Sequence, residues 1–266
     1  MRTAAKSYLW LMILMSLAFG LLYLFVPAKM IEPLGYGALV SSALADIRTT
    51  FAAFQLATAI FLVWCVQTEQ IKLGLICMFF SGLAFVLCRG YGLYIDHSMT
   101  PMLRGTIVFE LALTVISIVL YVLTPEGGRI DAGPSKRAAT IFVAVMGLAT
   151  FASGLASALM PVETLAPMGF SQLAPSALTD ARASYGGFQI GLALFMLWCL
   201  PARHVFAGAF NFFICIALIV ICRALAMVID NIYTQSLIGA LIFESVLAAL
   251  ALFVVLKARK FDSVAS

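Results

Sequence analysis

Apolar residues run along the chain in blocks of roughly 20, the length of a helix that crosses a hydrocarbon core, with short polar stretches between them. Eight blocks are readable: Tyr8–Val26, Ile47–Val66, Ile71–Ile95, Leu103–Leu123, Ala138–Met160, Ala181–Leu200, Val205–Ile229 and Leu237–Leu256. They are apolar on every face, whereas barrel strands alternate. Lipid offers the backbone no hydrogen-bond partner, so such segments must be helical. The pattern predicts an all-α integral membrane protein with eight transmembrane helices. The third and seventh blocks are long, which implies tilt. Two connections, Pro27–Ala45 and Pro161–Asp180, are longer than the rest and carry Pro, Gly and Ser. The polar, Gly- and Pro-containing segment 125–136 (PEGGRIDAGPSK) lies midway and reads as a linker.

The two sides of that linker repeat each other. Sliding the chain by 134 residues (Asp46 onto Asp180) places DIRTTFAAFQLATAIFLVWC over DARASYGGFQIGLALFMLWC without a gap, and 8 of these 20 positions are identical. Apolar matches mean little in so hydrophobic a chain. Polar matches mean more, and six coincide at the one offset: Asp46/Asp180, Arg48/Arg182, Gln55/Gln189, Arg89/Arg223, Asp96/Asp230 and Glu110/Glu244. The chain therefore divides into residues 1–124, a first four-helix unit, the linker 125–136, and residues 137–266, a second unit: two tandem four-helix bundles. Four crossings are even, so both copies enter the membrane the same way round, as in parallel-repeat membrane proteins. The first span follows Arg2 and Lys6 as a leader would, but it corresponds to the mid-chain fifth span, so it is expected to be retained.

Composition agrees. Of 266 residues 64% are apolar and 11% charged, against about 25% charged in a soluble domain. The net charge of +4 sits in short loops and at helix ends, with no basic stripe that would imply nucleic acid. Sorted by side, 10 basic residues lie on the side of the termini and 6 on the other, four of the six being the repeated arginines. The positive-inside rule then expects a multi-pass inner-membrane protein with both termini in the cytoplasm. The six cysteines lie in apolar runs without a C-x-x-C pair and read as packing residues. With two histidines and no ligand spacing, neither a metal nor a cofactor is expected. The remaining marked residues do not survive the repeat: His97 becomes Asn231 and Arg104 becomes Ile238. His204 reads as a solvated turn residue, and Trp64 and Trp198 as interfacial aromatics.

The candidate site is the repeated polar set, which the helix directions place in the half of the bilayer away from the termini. Arg48 and Gln55 are seven apart and share a helix face, as do Arg89 and Asp96. Arg89 and Glu110 lie at similar depth and are expected to pair. Charges left unpaired in hydrocarbon cost at least about 2.5–3.5 kcal/mol each, so the twelve residues should converge within each bundle. Two readings stay open. One is an ion-pair lock that fixes helix register. The other is a polar pocket, open to the far side, for an anionic or carbonyl-bearing lipophile or for protons. A membrane enzyme acting on a lipid, isoprenoid or quinone, with Glu110 or Glu244 as acid/base beside Arg89 or Arg223, and a small-molecule transporter are the alternatives.

The stretch Asp-x-Arg-x-x-Tyr-Gly-Gly-x-Gln, Asp180 to Gln189, with an Arg near the end of the third span and a Glu early in the fourth, resembles an uncharacterised bacterial four-helix membrane family, domain of unknown function 4345. It is similar to the wider DoxX-like group. The first copy departs, with Phe51-Ala52-Ala53 in place of Tyr185-Gly186-Gly187. The resemblance implies a four-helix bundle in the bacterial cytoplasmic membrane and no established reaction. Through the DoxX-like group it implies a quinone or similar lipophile as a ligand class, beside the lipid bilayer as partner.

Overall fold

The computed structural model describes residues 1–125, 137–170 and 173–259. All regular structure among them is helical. The linker beyond Pro125 lies outside the described residues. The first repeat runs α1 (Arg2–Phe25), α2 (Pro27–Ile31), α3 (Ser41–Gln67), α4 (Ile71–Ile95) and α5 (Pro101–Leu123). The second runs α6 (Arg137–Leu159), α7 (Pro161–Leu165), α8 (Pro175–Ala181), α9 (Phe188–Trp198), α10 (Val205–Ile229) and α11 (Gln235–Arg259). Seven of these helices are long and apolar enough to cross a membrane. The remaining apolar block lies in the continuous helical segment Pro175–Trp198, in which a π-helical turn, Arg182–Gly187, joins α8 to α9.

Several helices start earlier than their apolar blocks. α3 begins at Ser41 and α8 at Pro175, so Asp46 and Asp180 lie inside helices, together with Arg48 and Arg182 that the apolar blocks already contained. Local chemistry sets these ends. Pro27, Pro101, Pro161 and Pro175 occupy the first helical position, where the missing N–H costs nothing. Thr100 accepts the Leu103 amide at the start of α5, and its equivalent Thr234 accepts the Leu237 amide at the start of α11.

The helices do not pack by repeat. α3 lies against α1 of its own copy and α10 of the other, and α10 carries α11. The segment α8–α9 lies against α6 of its own copy and α4 of the other, and α4 carries α5. The front helix pair of each repeat is thus mated to the back pair of its neighbour, while α3 and α4, adjacent in sequence, touch little. Each four-helix unit shares its core with the other.

Equivalent residues meet each other along one line. Phe54 stacks on Phe188 at 3.7 Å between centroids, Phe61 meets Phe195 at 5.4 Å, Phe51 meets Tyr185 at 5.4 Å and Tyr36 meets Phe170 at 6.3 Å. Each pair is related by the repeat offset. Only residues on a two-fold axis touch their own equivalents, so this aromatic column marks a pseudo-two-fold axis. Cys77 and Asn211 form a further such pair at 3.6 Å. The connections cross it as well. Gly35 and Gly169 have φ of 86° and 99°, and a Cβ on either would run into Ser176 or Ser42 of the other repeat.

Outward surfaces are apolar. α5 exposes Val108, Phe109, Leu111, Val115 and Val119, and α11 exposes Ile242, Phe243, Val246 and Phe253. These two helices turn their apolar side chains outward, the arrangement of a multi-pass membrane protein. At the end that holds the N-terminus, Arg2 and Lys6 of α1 reach Glu69 in the α3–α4 turn at 2.7 and 2.5 Å.

Candidate functional site

Four arginines are buried at the opposite end, each in an α-helix or the π turn, and each satisfied by carboxylates. Arg89 of α4 donates Nε and Nη2 to Glu110 of α5 at 2.9 and 2.8 Å, a bidentate pair. Its Nη1 donates to Asp180 of α8 at 2.8 Å. Asp180 also accepts from Tyr36 at 3.1 Å and from Ser184 at 3.3 Å. The equivalent cluster has Arg223 of α10 on Glu244 of α11 at 2.7 Å twice, Asp46 of α3 at 3.5 Å from Arg223 Nη1, and Tyr185 donating to Asp46 at 2.9 Å.

The other two arginines bind aspartates at helix ends. Arg48 donates to Asp230 at 3.1 and 2.8 Å, and its Nη1 to the Leu24 carbonyl. Arg182 donates to Asp96 at 3.0 Å twice and to the Ala158 and Leu159 carbonyls at 2.6 and 3.0 Å. Thr179 also donates to Asp96. These two guanidinia satisfy the orphan carbonyls that end α1 and α6, while their aspartates terminate α10 and α4.

The partners follow a rule. The Arg–Glu pairs stay within one repeat. The Arg–Asp pairs cross: Arg48 to Asp230, Arg182 to Asp96, Arg89 to Asp180 and Arg223 to Asp46. Convergence within each bundle therefore describes Arg89 with Glu110 and Arg223 with Glu244 only. The aspartates belong to the neighbouring copy because α3 packs on α10, and α8 on α4.

Two expected members stand apart. Gln55 and Gln189 are half-buried, and neither has a hydrogen-bond partner among the described residues. Two functional members escaped sequence reading. Tyr36 and Tyr185 supply a phenol to each aspartate, but their equivalents are Phe170 and Phe51, so a search for matched polar positions passes over both. Burial, then the Asp180 charge, holds the Tyr36 phenol well above its usual range, so it remains a donor. His204 differs from expectation: it is half-buried and stacked on Trp198 at 5.8 Å, and burial lowers its pKa. His97 and Asn231, at the matching ends of α4 and α10, both adopt left-handed φ, of 50° and 48°, which marks them as helix-terminating residues. The six cysteines are buried free thiols.

The family model for the Domain of unknown function (DUF4345) matches the chain twice, over residues 4–121 and 138–255. The chain belongs to this family, in tandem. No curated protein and no solved structure matches it. One DUF4345 copy contributes the arginine and glutamate of each cluster, and the other contributes the aspartate.

Proposed function

We propose that the chain is a non-enzymatic membrane protein in which the paired clusters lock two DUF4345 copies into one body, and that this body binds a small lipophilic molecule within the bilayer. The observation that carries the lock is the crossing of all four Arg–Asp pairs between copies. Removing one partner of a buried ion pair strands the other charge, at about 3–5 kcal/mol.

The ligand class follows from what the clusters leave open. All four guanidinia are engaged, which weighs against an anion. The carboxylates of Glu110 and Glu244, 15% and 13% exposed, keep acceptor capacity toward the lipid after Arg89 and Arg223 have taken one bond on each oxygen. A lipophile with a hydroxyl or amide donor fits that edge, and a quinone, which has no donor, fits it less well. Arg89 and Arg223 engage both oxygens of Glu110 and Glu244, which disfavours an acid/base role. The aromatic column fills the axis, which disfavours a transport path along it.

The location proposed is the bacterial inner membrane with both termini cytoplasmic. Support comes from the four repeated arginines, which are engaged inside the helix bundle, so that Lys29 of α2 and Arg104 of α5 are the exposed basic residues left at the far end. The test is thermal unfolding in detergent with mass spectrometry of co-purified small molecules. Arg89→Ala and Arg223→Ala should each destabilise the protein by about 3 kcal/mol or more, and the exposed Arg104→Ala should not. Equal stability for all three, with nothing bound to the wild type, contradicts the proposal.

A further inference from the structure

We infer that Gln55 and Gln189 are the polar anchors of two lateral, lipid-facing grooves, each of which takes a bilayer-soluble molecule with an amide-like or hydroxyl head. The inference rests on the lipophile-binding reading and moves the point of contact away from the ion pairs.

Gln55 lies on the Arg48 face of α3, two turns deeper in the membrane. α1 and α10 flank α3 on either side, and Arg48 closes the groove at its outer end by binding the last turn of α1 and Asp230 at the end of α10. The side of α1 is kept low there. A Cβ on Gly20 would lie 3.3 Å from the Gln55 Cβ and 2.8 Å from Leu56. The second copy repeats the construction: α6 and α4 flank the helix of Gln189, Arg182 closes the outer end, and a Cβ on Gly154 would lie 2.9 Å from the Gln189 Cβ.

The chemistry then needs an occupant. A primary amide in hydrocarbon offers two donors and an acceptor, and leaving them unpaired is costly. Every repeated charged residue has found a partner within the chain, but neither repeated amide has one among the described residues. Both side chains are half-buried, so each keeps part of its surface outside the packed interior. The complementary partner is a lipophile whose head both donates and accepts, with its tail along the apolar flanks.

The experiment uses the full chain in phosphatidylcholine nanodiscs and oleamide carrying a photoreactive diazirine. Labelling should map to peptides of α1, α3 and α10 around Gln55 and of α4, α6 and α9 around Gln189. Unlabelled oleamide should compete, and a hydrocarbon of equal length should not. Each of Gln55→Leu and Gln189→Leu should lower labelling at its own groove about ten-fold, the worth of one intramembrane hydrogen bond. The double variant should be at least as heat-stable as wild type, which separates lost binding from lost folding. Undiminished, competable labelling in the double variant overturns this inference and leaves the broader reading standing. No competable labelling of the wild type overturns both. A wild-type dimer that dissociates in the double variant also overturns the inference, since the amides then serve a helix–helix contact.

Discussion

At the residue scale, the buried aspartates carry the heaviest consequences. Asp180 is held by Arg89, Tyr36 and Ser184 at once. Tyr36→Phe removes one hydrogen bond and leaves Asp180 two partners, so chemical denaturation should show a loss of about 1 kcal/mol. Asp180→Ala strands a guanidinium and should cost several times more. Glu69, at the other end, gives a pH dependence. A hydrogen bond from Lys6, and then the Lys6 and Arg2 charges, hold its carboxyl below the ordinary glutamate range. A depressed folded pKa means that its contribution is complete above the unfolded pKa and is lost as pH falls through the folded one. Amide exchange in the first turn of α1 should therefore rise on acidification through that window, and Glu69→Gln should abolish the change.

At the element scale, the helices and their repetition were legible, and their partners were not. Apolar length located the long helices, but it set the starts of α3 and of the α8–α9 segment too late, at Ile47 and Ala181, because Asp46 and Asp180 end the apolar run while remaining helical. The π turn at Arg182–Gly187 left no insertion to detect, since the copies align without a gap across it. Its glycines have a packing reason. A Cβ on Gly186 would lie 2.8 Å from the Ala158 backbone, whereas Ala52 fills the equivalent position of the first copy. Gly186→Ala should accordingly lower the melting temperature, and Ala52→Gly should change it much less; a matched pair of thermal scans checks this.

At the scale of the whole molecule, the sequence is degenerate in one specific respect. A fixed offset identifies Arg89 with Arg223 and Asp46 with Asp180, but it cannot say whether an arginine takes the aspartate of its own copy or of the other. Helix packing decides, and it chooses the other copy four times. The result is a fused pseudo-two-fold dimer whose axis is marked by the paired aromatic residues. Stability and any binding site are then properties of both copies together.

A double-mutant cycle on Arg48 and Asp230, which lie 182 residues apart in the chain and 2.8 Å apart in space, tests that claim most directly. Unfolding free energies of the wild type, Arg48→Ala, Asp230→Ala and the double variant should give a coupling above about 1 kcal/mol. Losses that add to within about 0.5 kcal/mol would mean that the two residues do not meet, and would contradict the crossed architecture.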